Sequence, residues 1–179
     1  KEQTSLQSTY NTKAAIVFLG TSLTYRVQWN ELLGRNDCVN RGIPLDNTEG
    51  MLHRIDKVVV VEPKICFIEG GINDIDQQIA YDSIINHLKQ IAVILKQHKI
   101  ISVITTAPYT SVLCKNFWPL NYNIAYFNLA LNKMAKSNSI SVIDLNAALS
   151  KVMFTLPEYT TTDGLHLSGA AFKKWKDLV

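Results

Sequence analysis

The sequence lacks most of the features that would mark a specialised class of protein. No apolar run approaches the ~18–20 residues needed to cross a membrane, so no membrane span is expected. The cysteines are few and widely spaced, at Cys38, Cys66 and Cys114. Without a Cys-x-x-Cys pair, zinc ribbons and thioredoxin chemistry are poor readings, and an odd count builds no disulfide framework. Cys66, inside Ile65-Cys66-Phe67-Ile68, reads as a small core residue. Charge of one sign is scarce too: the net charge is +3. The one basic cluster, Lys173, Lys174 and Lys176, reads as the wet face of a terminal helix. It is not the aromatic-interleaved stripe of a nucleic-acid surface, and no nucleic-acid partner is expected. Repeats, low-complexity tracts and linker-like stretches are missing, and no signal-peptide pattern is visible. The polar start, residues 1–13, reads as an extension preceding a single domain over residues 14–179. Its abrupt opening at Lys1 favours the mature end of an exported bacterial protein over a cytoplasmic one.

What is present is a chain of 179 residues, 47% hydrophobic, enough to bury one normal core. Apolar runs alternate with helical patterns. Strands are expected at residues 14–19, 37–40, 64–68, 100–105 and 140–145. Helical spacing covers Trp29–Leu33, residues 48–61, Tyr81–Gln97, residues 122–136 and residues 168–178. In Tyr81–Gln97 the residues Tyr81, Ile84, Ile85, Leu88, Ile91, Ala92 and Leu95 share one face. Continuous apolar strands separated by amphipathic helices imply an α/β fold, a parallel sheet covered on both sides. Ligands of such sheets bind beyond the carboxyl ends of the strands.

Three segments at or near such ends carry chemistry. In Gly20-Thr21-Ser22-Leu23 the serine stands at a strand-to-helix turn, where backbone N–H groups favour developing negative charge. The plainer reading is that Ser22 or Thr21 caps the helix. In Gly71-Ile72-Asn73-Asp74 the Asn73 amide can donate to an oxyanion, or else cap a turn. In Asp163-Gly164-Leu165-His166 the two polar side chains can meet, Asp163 fixing the tautomer of His166; the alternative is a partial metal site. His53, His87 and His98 stand singly in expected helices and read as surface residues, which makes zinc a poor reading. The first turn lacks Gly-x-Gly-x-x-Gly, so dinucleotide binding is weakly supported. A flavodoxin-type phosphate loop would use Thr21, Ser22 and Thr24 but leave Asp163 and His166 unexplained.

Taken in order, Phe18-Leu19-Gly20-Thr21-Ser22-Leu23-Thr24, Asn40-Arg41-Gly42-Ile43-Pro44-Leu45-Asp46-Asn47-Thr48, Gly71-Ile72-Asn73-Asp74 and Asp163-Gly164-Leu165-His166 resemble the conserved blocks of the GDSL/SGNH hydrolases. The stretch Pro63-Lys64-Ile65-Cys66-Phe67-Ile68 is similar to the third strand of bacterial members, which include relatives of platelet-activating-factor acetylhydrolase and carbohydrate acetylesterases. The resemblance spans residues 16–169. It implies a flavodoxin-like three-layer sandwich with five parallel strands in the order 2-1-3-4-5, and no metal or organic cofactor. It also implies roles: Ser22 as nucleophile, His166 as general base, Asp163 as its orienting partner, and Asn73 with the backbone of Ser22 as oxyanion donors.

Two positions depart from the family pattern. Thr21 stands where the family has the Asp of Gly-Asp-Ser, which implies altered local hydrogen bonding. Leu45 stands where a glycine normally precedes the residue matched by Asp46. Its N–H can still serve the oxyanion, with Gly42 a less favoured backbone donor, and its side chain would narrow the acyl pocket.

These readings converge on a serine esterase working through an acyl-enzyme on short, chiefly acetyl, esters of a carbohydrate or similar alcohol. Activity should fall as pH drops through the ordinary histidine range near ~6.5. The aromatic segment 109–122 follows the fourth strand, and its Tyr109 and Trp118 are candidate substrate contacts. The competing reading is a catalytically weak module that binds a glycan or lipid headgroup on the same fold, suggested by Thr21 and Leu45.

Overall fold

The apolar runs pair into one parallel sheet. In the computed structural model, which describes residues 2–7, 9 and 12–179, the strands are β1 (Ile16–Gly20), β2 (Cys38–Gly42), β3 (Ile65–Glu69), β4 (Ile101–Thr105) and β5 (Ser141–Ile143). Their order is β2-β1-β3-β4-β5, with Phe18 in register with Asn40 on one side and Phe67 on the other. The helices are α1 (Glu2–Gln7), α2 (Ser22–Tyr25), α3 (Trp29–Leu33), α4 (Thr48–His53), α5 (Asp56–Val59), α6 (Ile72–Asp76), α7 (Tyr81–Gln97), α8 (Phe117–Ser137), α9 (Leu145–Leu149) and α10 (Gly169–Lys176). A small antiparallel pair, β6 (Ser150–Lys151) with β7 (Phe154–Thr155), precedes a 3₁₀ turn at Pro157–Tyr159. No described helix is long and apolar enough to cross a membrane.

Alternate residues of each strand face opposite layers. Val17, Leu19, Cys66, Ile68 and Ile104 pack with Ile84, Leu88, Ile91 and Leu95 of α7 and with Ile124, Phe127 and Leu131 of α8. Phe18, Phe67, Val103 and Ile143 face the other layer with Trp29, Ala171 and Trp175. There Phe18 stacks on Trp29 at 3.8 Å between ring centres, and Trp175 meets Trp29 edge-on at 5.1 Å. The α10 helix, which directly follows the His166 loop, is thereby pinned to the sheet. Cys66 is buried, its thiol pushed up to about 12 by that burial.

Three expectations need correction. The helix expected over residues 48–61 is two short helices, because Arg54 leaves helical geometry (φ −112°, ψ 19°) and turns inward. The strand expected over residues 140–145 stops at Ile143. Asp144 there caps α9, its Oδ1 accepting from the N–H groups of Asn146 and Ala147. Residues 117–122 of the expected aromatic loop begin α8; Pro119 is tolerated because the first turn needs no internal N–H donors. The polar stretch 1–13 lies partly outside the described residues. Within it, Gln7 is buried and accepts a hydrogen bond from Arg54.

Candidate active site

The carboxyl ends of β1 and β3 and the loop before α10 converge on one line of three side chains. Ser22 opens α2 directly after the turn from β1. Its Oγ lies 3.1 Å from His166 Nε2, and His166 Nδ1 lies 2.6 Å from Asp163 Oδ2. With its proton on Nδ1, the imidazole donates to the carboxylate and accepts from the serine hydroxyl.

The His166 loop is tightly tied. Thr160 and Leu167 form an antiparallel bridge, and the Thr161 N–H donates to the His166 carbonyl at 2.7 Å. Asp163 Oδ1 accepts from Thr161 Oγ1 at 2.8 Å and from the N–H groups of Leu165 and His166 at 2.9 Å each. Partial burial by itself would raise the Asp163 carboxyl. The bonds from the His166 ring and backbone, Leu165 and Thr161 outweigh it and hold the group well below the usual carboxylate range. The loop after β4 braces this turn through the Ser111 N–H, which donates to the Gly164 carbonyl at 2.7 Å.

Asn73 sits in the first turn of α6. The preceding Gly71 has φ 111°, and a Cβ there would press within 2.6 Å of the Phe127 ring, so only glycine fits. Asn73 Nδ2 donates to the Asp46 carbonyl at 2.7 Å, leaving the amide a second hydrogen. This bond ties Asn73 to the loop that carries Leu45. Leu45 has φ 63°, and its side chain is 81% exposed. Among the described residues, no acceptor takes the Leu45 or Ser22 N–H. Gly42, in contrast, gives its N–H to Asn40 Oδ1 at 2.7 Å within β2, so it is already engaged.

The two aromatic candidates are Tyr109 and Trp118. Tyr109 is half-buried against the core, with its N–H on Asn146 Oδ1. Trp118 is 60% exposed in the first turn of α8, edge-on to Phe117. Neither makes a hydrogen bond to Ser22, Asn73, Asp163 or His166. Of the remaining histidines, His53 and His98 are exposed. His87 is instead half-buried, its Nδ1 3.0 Å from Thr48 Oγ1, which donates in turn to the buried Asp74. Among the described residues no cluster of His, Cys, Asp and Glu suited to a metal occurs.

Two charged residues behind the site escaped the sequence reading. Arg54 pairs with Asp46 and donates to the Gly20 carbonyl, joining the Leu45 loop to the end of β1. Glu69 ends β3, buried beneath the Ser22 turn. The available signals were a charge on the apolar face of residues 48–61 and a lone acid closing the run of residues 65–68.

A parallel sheet in this order, with a Ser–His–Asp line across its carboxyl edge, defines a serine hydrolase on a flavodoxin-like α/β sandwich. Residues 9–174 match the GDSL-like lipase/acylhydrolase family, and the chain belongs to it: a GDSL-type serine esterase or acylhydrolase acting on carboxylic esters. No curated protein matches the sequence. Among solved structures, it is similar to a putative acylhydrolase from Bacteroides fragilis, with 21% identity and TM-score 0.84 over 99% of this chain and 92% of that one. A putative platelet-activating-factor protein from Streptococcus pneumoniae is 22% identical, TM-score 0.83, covering 98% and 86%. An acetyl xylan esterase from Geobacillus stearothermophilus is 18% identical, TM-score 0.76, covering 94% of each chain. At these identities the likeness establishes the fold.

Proposed function

We propose that this enzyme hydrolyses short-chain esters, chiefly acetyl esters of a carbohydrate or similar alcohol, through an acyl-enzyme on Ser22. The observation that carries the reading is the unbroken line Ser22 Oγ–His166 Nε2–Asp163, with contacts of 3.1 and 2.6 Å. His166 takes the hydroxyl proton as Ser22 Oγ bonds to the ester carbonyl carbon. Asp163 stabilises the imidazolium that results. The N–H groups of Ser22 and Leu45 and the second hydrogen of the Asn73 amide hold the oxyanion. His166 then protonates the leaving alcohol as its C–O bond breaks. It next removes a proton from water, whose attack releases the carboxylic acid and restores Ser22.

The preference for a short acyl group is supported by the acetyl-ester specificity in the name of a neighbour of the same fold, an acetyl xylan esterase. The carbohydrate preference is supported by the acetyl xylan esterase among the neighbours of the same fold. Exposed Trp118, Tyr122 and Tyr126 on α8 offer ring faces for sugar contacts. A screen of acetylated sugars, phospholipids and p-nitrophenyl esters of increasing chain length tests the reading. Acetyl esters of sugars should be cleaved fastest and Ser22→Ala should abolish turnover. Octanoyl esters cleaved far faster than acetyl esters would overturn the substrate assignment. A folded wild type that cleaves nothing and only binds glycans or headgroups would favour the binding module.

A further inference from the structure

Ser22 stands on a turn wrapped around a single buried carboxylate. Glu69 Oε2 accepts from the Thr21 N–H at 3.0 Å, and the Thr21 hydroxyl lies 3.1 and 3.0 Å from the two carboxylate oxygens. The Thr24 hydroxyl donates to Oε2 at 3.0 Å. Thr21 and Thr24 bracket Ser22, and both are buried. Gly20 completes the wrap: a Cβ there would lie 2.7 Å from Glu69 Oε2 and would collide with Thr24 Oγ1. With four residues, α2 is too short to hold its own shape, and its hydroxyl cap, Thr21 Oγ1 to the Leu23 N–H, is long at 3.4 Å. The shape of the turn is therefore set from below.

We propose that Glu69 is the positioning residue of the nucleophile turn, supplying from β3 the carboxylate that this chain lacks at position 21. The proposal rests on Ser22 being the nucleophile. The family takes its name from Gly-Asp-Ser-Leu, and here the string is Gly20-Thr21-Ser22-Leu23. The acid and the hydroxyl have complementary placements: a threonine at 21 donates to Glu69, whereas an aspartate at 21 would face it. Two carboxylates in contact cannot both ionise without a large penalty. Arg54 reaches the same turn at the Gly20 carbonyl, but its guanidinium is paired with Asp46. Burial pushes the Glu69 carboxyl up, opposed by the hydrogen bonds from Thr21 and Thr24. Thr21 and Glu69 are thus a matched pair, and each constrains what the other can be.

The test compares kcat, KM and their pH profiles on p-nitrophenyl acetate for Thr24→Val, Thr24→Ser, Thr21→Asp, Glu69→Gln and the double variant Thr21→Asp/Glu69→Gln. Circular dichroism and Tm report folding, and Ser22→Ala is the reference. Thr24→Val keeps the shape but loses the hydroxyl; its kcat should fall about 10- to 100-fold with KM little changed, as expected for a nucleophile displaced by a fraction of an ångström. Thr24→Ser should keep near-wild-type kcat. Thr21→Asp should lose activity increasingly as pH rises and both acids ionise, and adding Glu69→Gln should restore much of it. A purely structural acid would not produce a rescue that depends on charge at position 21.

The proposal is overturned if folded Thr24→Val matches wild type, if Thr21→Asp is fully active across the pH range, or if the double variant is no better than Thr21→Asp. Should Ser22→Ala itself retain turnover, the assignment of the nucleophile fails instead, which separates the two failures.

Discussion

Arg54 and Asp46 form a buried ion pair: Nε and Nη2 of the arginine both lie 2.8 Å from Asp46 Oδ2. The same guanidinium donates to the carbonyls of Gly20 and Arg41, at 3.2 and 2.7 Å. One side chain thus joins the Leu45 loop, the end of β1 and the end of β2. Burial works against the arginine's charge, and Asp46 compensates. Replacing Arg54 with Met should cost about 3–5 kcal/mol of stability, since it strands a largely buried carboxylate. It should also lower kcat through the loosened Leu45 loop. Urea unfolding and steady-state kinetics check both. Unchanged stability would show that the pair contributes little.

In the proposed mechanism, removing the Asn73 amide deletes one oxyanion donor without touching the Ser22–His166 contact. Asn73→Ala should lower kcat about 10²–10³-fold with a small change in KM. A loss confined to KM would place Asn73 in ground-state binding instead.

Leu45 holds a left-handed backbone (φ 63°) that a side chain resists, while its side chain is mostly in water. Leu45→Gly should raise stability by up to about 1 kcal/mol, the relief of strain exceeding the entropy lost with glycine's freer unfolded chain. It keeps the backbone N–H, so kcat on acetyl esters should stay close to wild type. Thermal unfolding gives the first quantity and initial rates the second. A collapse in kcat would assign the leucine side chain a direct part in substrate contact.

The state of Asp163 controls the shape of the pH profile. Its carboxyl is held well below the usual carboxylate range by the bonds from His166, Leu165 and Thr161, so it stays ionised where a free carboxylate takes up its proton. The acid limb of kcat/KM should therefore fall with unit slope, with no second ionisation from Asp163 in the ordinary carboxylate range. For stability the sign is that of a depressed acid: the contribution is present above the unfolded carboxylate pKa and is lost as pH falls through the lower folded value. A limb of slope two would mean that Asp163 is protonated in the same range. Asp163→Asn should lower kcat by as much as about 10⁴-fold by favouring the wrong tautomer of His166.

The parts of the fold and site readable in the sequence are those specified by local pattern. Tyr81–Gln97 shows a clean apolar face and is helical over those bounds. The Asp163–His166 contact needs only a three-residue separation in a turn. What escaped depends on distant partners. Glu69 meets Thr21 across 48 positions, and Arg54 meets Gly20 across 34. No window of sequence brings such pairs together. The break between α4 and α5 has the same cause, since Arg54 turns inward to partners outside its own segment. Asp144 ends β5 early by capping a helix, a signal masked by the apolar run of residues 140–145 around it.

The central claim is that Ser22 becomes acylated. Intact-protein mass spectrometry after rapid mixing with p-nitrophenyl acetate, quenched in acid, tests it most directly. The account predicts a single acetyl adduct that maps to the peptide containing Ser22, is absent in Ser22→Ala, and accumulates in step with a burst of p-nitrophenol. Turnover without any adduct on Ser22, or an adduct and undiminished turnover in Ser22→Ala, would contradict it.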